Sequence, residues 1–329
     1  MAKENKITRR EFLSRTAFAT AALGLTPEFI LAKSKTNYDS KGLPTRSLGS
    51  TGVKIPPVAL GTGSRYCAVQ DESTGLKILE YALNHGFYYW DTASNYGDGD
   101  VISEERLGKI LKHRRNEVFL ATKVHSRDPA EAKQLIEQSL DRLQTDYLDI
   151  LQIHSVQSVD EVKEFTKPGG VYDLIREMKA EGITRFIGFT GHTSAEAMKY
   201  AAANYDFDTM LIALNHLTDG KQKFEQDAIP AALKKGMGVM AMKVVRPRET
   251  VKSVSVQQLI QYGLSLKDVS ACVIGTDSVD VVKSNLNLVK NFKPLKQDQM
   301  EDIKTALAPF YRHENLPWMD PYYQDGNWA

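Results

Sequence analysis

The sequence predicts a single closed (β/α)8 barrel of the TIM type, with an N-terminal β-hairpin as a plug. Three observations lead there. Short apolar segments alternate eight times with longer amphipathic ones between Pro44 and Phe310, and repeated βα units specify a parallel sheet with helices outside it. The short segments are apolar at both parities, as strands covered on both faces must be. No Gly-x-Gly-x-x-Gly opens the first strand–helix turn, so an open dinucleotide-binding sheet lacks its fingerprint.

The elements follow in order. Thr45–Leu48 and Val53–Ile55, joined by Gly49-Ser50-Thr51-Gly52, read as a hairpin that would close the barrel bottom. Pro56-Pro57 ends its second segment, because proline cannot donate to a ladder. Val58–Gly61 is strand one, followed by a helix over Glu72–His85. Tyr88–Asp91 and Val118–Lys123 are strands two and three, with helices over Ser103–His113 and Pro129–Leu143. The second of these has proline in its first turn and leucines along one face. Ile150–His154 and Arg185–Thr190 are strands four and five, with helices Val171–Ala180 and Ala195–Asn204. Thr209–Asn215, Gly238–Lys243 and Ala271–Gly275 complete the barrel, with helices Phe224–Lys235, Val256–Leu266 and Val279–Val289. Residues 44–310 match the usual barrel length of roughly 250 residues. Residues 311–329, rich in Trp, Tyr and Pro, read as an ordered loop.

Residues 1–32 read as an export signal. Thr8-Arg9-Arg10-Glu11-Phe12-Leu13 precedes a short Ala-rich run from Thr16 to Leu25, which resembles a twin-arginine signal. The run is too short and weak to span a membrane, so no stable insertion is expected. This reading is preferred to a surface helix that happens to carry two arginines. It implies the export machinery as a partner and a periplasmic or otherwise exported protein; the alternative is cytoplasmic. Ala32 could end the signal, but Ile30 is large for a cleavage site, which stays undefined. Residues 33–43 are polar and read as a linker.

Composition narrows the function. Lys plus Arg number 42 against 41 Asp plus Glu, a formal charge of +1, so nothing calls for nucleic acid as a partner. Cys67 and Cys272 form no Cys-x-x-Cys pair, which leaves no ligand set for a thiolate zinc site or an iron–sulfur cluster. They fall at opposite ends of the barrel, too far apart for a disulfide. No metal site is expected.

Active sites on this fold sit at the C-terminal strand ends. Those ends carry Asp91, Lys123 and His154 on three successive strands, with Tyr96 five positions after Asp91. Singly, each has an ordinary role: a loop cap, a rim charge, a core histidine, loop packing. Together they form a proton-transfer site. A free phenol, with a pKa of about 10, exchanges its proton poorly near neutrality, and a neighbouring ammonium favours the phenolate. Asp91 would orient Lys123, His154 would position a substrate oxygen, and Tyr96 would donate its proton as hydride reaches the carbonyl carbon.

The stretches Phe87-Tyr88-Tyr89-Trp90-Asp91-Thr92-Ala93-Ser94-Asn95-Tyr96-Gly97, Ala121-Thr122-Lys123 and Leu148-Asp149-Ile150-Leu151-Gln152-Ile153-His154 resemble the aldo-keto reductases. The opening Leu48-Gly49-Ser50-Thr51-Gly52-Val53 and Ala59-Leu60-Gly61-Thr62-Gly63 are similar to that family too. The likeness runs from about Arg46 to Asn287. It implies a catalytic tetrad of Asp91, Tyr96, Lys123 and His154. It also implies a nicotinamide cofactor, usually NADPH, across the barrel mouth, and a small carbonyl or sugar substrate. The cofactor contacts carried over are Thr190, Asn215, Met242, Lys243, Gly275, Thr276 and Asn285.

Several of these depart from the family pattern. Thr190-Gly191-His192 replaces the usual Ser-Asn pair at the nicotinamide amide. Met242-Lys243 stands where many members stack a tyrosine. Gly275-Thr276 and Val281 replace the Lys and Arg that hold the 2′-phosphate of NADP, while Asn285 remains as the adenine contact. NADP therefore stands as the expected cofactor with NAD as the alternative. His192 is read equally as loop packing or as a cofactor or substrate contact. The alternative to an enzyme is a non-catalytic nicotinamide-binding barrel acting as a sensor or partner subunit.

Overall fold

The computed structural model describes residues 36–214, 223–246 and 251–309. The signal at 1–32, the loop at 311–329 and Asn215 lie outside the described residues.

Eight parallel strands close into a barrel. In order around it they are Val58–Gly61, Tyr89–Asp91, Phe119–Val124, Leu148–Ile153, Thr184–Gly191, Thr209–Ala213, Gly238–Met242 and Ala271–Gly275. The ring closes through the last and first, with Cys272 opposite Val58 and Gly275 opposite Gly61. The expected hairpin is present, with Arg46 paired to Ile55 and Ser47 to Lys54.

Local chemistry explains the helices. Asp128 accepts the backbone N–H of Glu131 ahead of Pro129, and Gln144 ends that helix in the left-handed conformation. Ser194, Ser255 and Ser278 cap three later helices in the same way. The helix expected from Phe224 starts as a π-helical turn, Phe224–Ala228, before Ile229–Lys234. Pro230 has no N–H to bond back to the carbonyl of Gln226, so an α-helical ladder cannot run through it. Three helices were not anticipated: Ser64–Cys67, Val159–Phe165 and Gln297–Leu307. The middle one buries only Val162 and Phe165, too little apolar periodicity to read against its charges.

The barrel bottom is sealed by polar contacts. Gly49 in the hairpin turn has φ +51°, and a Cβ there would lie 2.3 Å from the Gly238 nitrogen, so only glycine allows this approach. Ser50 donates its backbone N–H to the Gly236 carbonyl. Arg46 donates to the carbonyls of Leu264 and Val269. Residues 36–43, read from the sequence as linker, also dock here. Tyr38 stacks on Tyr88 at 5.3 Å and donates its hydroxyl to Asp149 at 2.5 Å. Burial, and then the neighbouring carboxylate, keep that phenol protonated.

Asp149 is fully buried. It also accepts from Arg115, Arg185 and the backbone N–H of Leu120. Removing it takes the only carboxylate from Arg115, Arg185 and Tyr38 in this network, though Arg115 keeps the carbonyls of Val118 and Tyr147. Asp149→Ala should therefore cost about 3–5 kcal/mol in urea denaturation. The surviving folded fraction should keep its activity at low temperature, because this network lies at the end of the barrel away from the strand C-termini.

Both cysteines are free and buried. Burial pushes each thiol up to about 12. Among the described residues no helix is long and apolar enough to cross a membrane, and no group of three or more His, Cys, Asp or Glu could hold a metal ion.

Candidate active site

The barrel register brings the four expected residues together at the strand C-termini. Asp91 ends strand two opposite Ala121. Lys123 lies on strand three opposite Gln152, and His154 follows the end of strand four. All are nearly inaccessible: Lys123 is 1% exposed, Asp91 and His154 2%, Tyr96 7%.

The Lys123 ammonium has three protons and three acceptors. It donates to Asp91 Oδ1 at 2.5 Å, to the Thr92 carbonyl at 2.7 Å and to the Tyr96 hydroxyl oxygen at 3.3 Å. A buried charge persists only when paired and hydrogen-bonded, and this arrangement supplies both. Because Tyr96 Oη accepts from the ammonium, its own proton is directed elsewhere. The Tyr96 ring stands edge-on to His154, with centroids 5.8 Å apart and planes at 72°.

Supporting groups fix this geometry. Gln152 donates to Asp91 Oδ2 at 3.4 Å. The Asp91 carbonyl accepts both the backbone N–H and the hydroxyl of Thr62. Ser103 accepts from the Thr92 hydroxyl and donates to the Thr62 carbonyl. Tyr96 is seated in a small apolar cluster with Cys67, Ala93 and Val101, and its carbonyl accepts from Ser103 at the close of the Gly97–Asp98/Val101–Ile102 hairpin.

Sequence reasoning passed over Thr62, Ser103 and Gln152. Gln152 had a legible signal. It stands two residues before His154 on an otherwise apolar strand, so both share the barrel interior. Thr62 and Ser103 gave none, because they meet each other, Thr92 and backbone carbonyls only once the barrel has closed.

Gly63 presses on the tyrosine: a Cβ there would lie 3.2 Å from the Tyr96 ring. Gly63→Ala should move the phenol by a few tenths of an ångström. Turnover should fall on the order of 10-fold with the melting temperature nearly unchanged, since catalytic geometry tolerates only about 0.5 Å of error. Parallel steady-state kinetics and thermal melts check this.

The cofactor candidates spread around the same rim. Thr190 is buried on strand five, and its hydroxyl accepts the backbone N–H of Ser155 at 2.8 Å. Ser155 has φ +58°, a strained value for a non-glycine residue next to His154. Its hydroxyl meets His192 Nδ1 at 3.2 Å, so His192 is tied into the loops around the site. Met242 ends strand seven nearly buried, and Lys243 follows with φ +60°. Gly275 ends strand eight, and the Thr276 hydroxyl turns back to the Ile274 carbonyl. Asn285 is 5% exposed on the helix Val279–Lys290. Its side-chain amide can both donate and accept, the pair of roles that an adenine edge needs.

A phenol held by a buried ammonium–carboxylate pair, beside an imidazole at the mouth of a parallel barrel, defines an enzyme site built for proton transfer to an oxygen. The profile of the Aldo/keto reductase family matches residues 57–247. L-galactose dehydrogenase of Arabidopsis thaliana is 28% identical over 325 residues, covering 85% of this chain and 98% of that protein. D-threo-aldose 1-dehydrogenase of a Pseudomonas species is 25% identical, covering 59% and 67% of the two. Among solved structures, an aldo-keto reductase from Bacillus halodurans superposes with a TM-score of 0.67 at 23% identity, over 80% of this chain and 96% of that one. The chain belongs to the aldo/keto reductase family. It is an oxidoreductase that interconverts a carbonyl and an alcohol with a nicotinamide cofactor.

Proposed function

We propose that Tyr96 is the general acid and base of this reaction and that the substrate is a sugar. The hydrogen bond from Lys123 to Tyr96 Oη carries the reading. In the reducing direction Tyr96 gives its proton to the substrate oxygen, and the adjacent ammonium stabilises the phenolate left behind. Asp91 keeps Lys123 charged and aimed. His154, edge-on to Tyr96, holds the substrate oxygen by a hydrogen bond. In the oxidising direction the phenolate takes the hydroxyl proton. The bound nicotinamide supplies or accepts the hydride. The residues proposed to hold it are Thr190, Met242, Lys243, Gly275, Thr276 and Asn285, with Asn215 from beyond strand six. The cofactor is NADP or NAD, depending on the groups at the end of strand eight.

The sugar assignment is supported by the names of two relatives, an L-galactose and a D-threo-aldose dehydrogenase. Mixing the chain with aldoses and either oxidised dinucleotide should produce reduced nicotinamide. A chain that reduces simple aldehydes but oxidises no aldose is not a sugar enzyme.

We also propose export by the twin-arginine route, supported by Arg9-Arg10 ahead of Phe12-Leu13 and the short apolar run. A fusion of residues 1–43 to a reporter should reach the periplasm. Replacing both arginines by lysine should keep it in the cytoplasm, and export that ignores this change would remove the reading.

A further inference from the structure

The short helix Ser64–Cys67 after strand one reaches across to the end of strand eight. The Arg65 Cβ lies 3.4 Å from where a Gly275 Cβ would be, so the arginine stem covers the spot that a side chain at Gly275 would fill. Arg65 Nε donates to Asp277 Oδ2 at 2.9 Å, and its Nη2 donates to the same oxygen. Asp277 Oδ1 has no partner among the described residues. The pair is partly open to solvent, at 41% and 28% exposure. Ser278 then caps the helix that carries Asn285. The charges on this rim are matched: Arg65 with Asp277, and Lys283 with Asp280.

Resting on the reading that a nicotinamide dinucleotide lies across this mouth, we propose that Asp277, held by Arg65, selects NAD over NADP by accepting the adenosine ribose 2′-hydroxyl on its unused oxygen. A carboxylate in this role binds a hydroxyl and repels a phosphate, whereas NADP sites supply an arginine for the phosphate. Here the arginine is present but its charge is already engaged. The cation near the start of the helix, Lys283, is engaged as well. A 2′-phosphate would bring negative charge to a rim with no uncommitted cation among these groups. Gly275 offers no side chain to compensate.

The test is equilibrium titration of the whole chain with NADH and NADPH by nicotinamide fluorescence. It is paired with calorimetry of AMP against its 2′-phosphorylated form, which needs no turnover. NADH should bind roughly 10- to 100-fold more tightly than NADPH, the range over which one polar contact discriminates. Asp277→Asn should close most of that gap by strengthening NADPH binding. Arg65→Ala should widen it, because the carboxylate loses its counter-charge. The pair is surface-exposed, so both variants should melt near the parent. Tighter binding of NADPH by the parent, or an unchanged ratio in Asp277→Asn, overturns the proposal while leaving the oxidoreductase site intact. Binding of neither dinucleotide overturns the cofactor reading itself, and this proposal with it.

Discussion

Tyr96→Phe should lower kcat by roughly 10²–10⁴-fold, the usual contribution of a positioned general acid. It should leave dinucleotide affinity close to that of the parent. The phenylalanine ring still fills the pocket made by Cys67, Ala93 and Val101, so only the hydroxyl is lost. Lys123 keeps Asp91 and the Thr92 carbonyl as partners, and no buried charge is stranded. The fold should therefore survive, and the melting temperature should change little. Single-turnover kinetics beside a fluorescence titration separate the two effects. A variant that loses cofactor binding in step with turnover would show that the hydroxyl organises the site instead of moving a proton.

Lys123→Met is the second large effect, and it acts on stability as well as on rate. The thioether side chain is close in length to the lysine stem but leaves the Asp91 carboxylate buried without its cation. Breaking a buried pair from one side costs about 3–5 kcal/mol. Gln152 still donates to Asp91, which places the expected loss toward the lower end of that range. Turnover should fall at least as far as in Tyr96→Phe, since the phenolate loses its stabilising ammonium. The double change Lys123→Met with Asp91→Leu should regain much of the lost stability and none of the lost activity, as matched apolar replacements of buried pairs do. Urea denaturation of the three variants checks the stability order. If Lys123→Met is as stable as the parent, the pair is not the buried, fully bonded ion pair described here.

The sequence and the structure agree where periodicity carries the information. Pro129–Leu143 and Ala195–Asn204 are bounded by a capping residue and a clear apolar stripe, and both were placed to the residue. The clustering of Asp91, Lys123 and His154 was legible because a parallel barrel converts "end of strand" into "same place". Three things were not legible. The docking of residues 36–43 depends on Tyr38 meeting Asp149 across 111 positions of chain, and a polar segment gives no local sign of such a partner. The hydroxyls of Thr92, Ser103 and Thr62 bond in a row across 41 positions of chain, which no local side-chain pattern encodes. The pairing of Arg65 with Asp277 joins the first and last strand ends. It exists only because the sheet closes.

The most direct test of the account is to follow nicotinamide absorbance when the purified chain meets aldoses, aldehydes and ketones with each dinucleotide, in both directions, with Tyr96→Phe alongside. The account predicts turnover by the parent with at least one sugar, and its disappearance in Tyr96→Phe while cofactor binding persists. Tight dinucleotide binding with no turnover of any substrate in either direction would contradict it, and would make this barrel a nicotinamide-binding sensor or partner subunit that keeps the tetrad without using it.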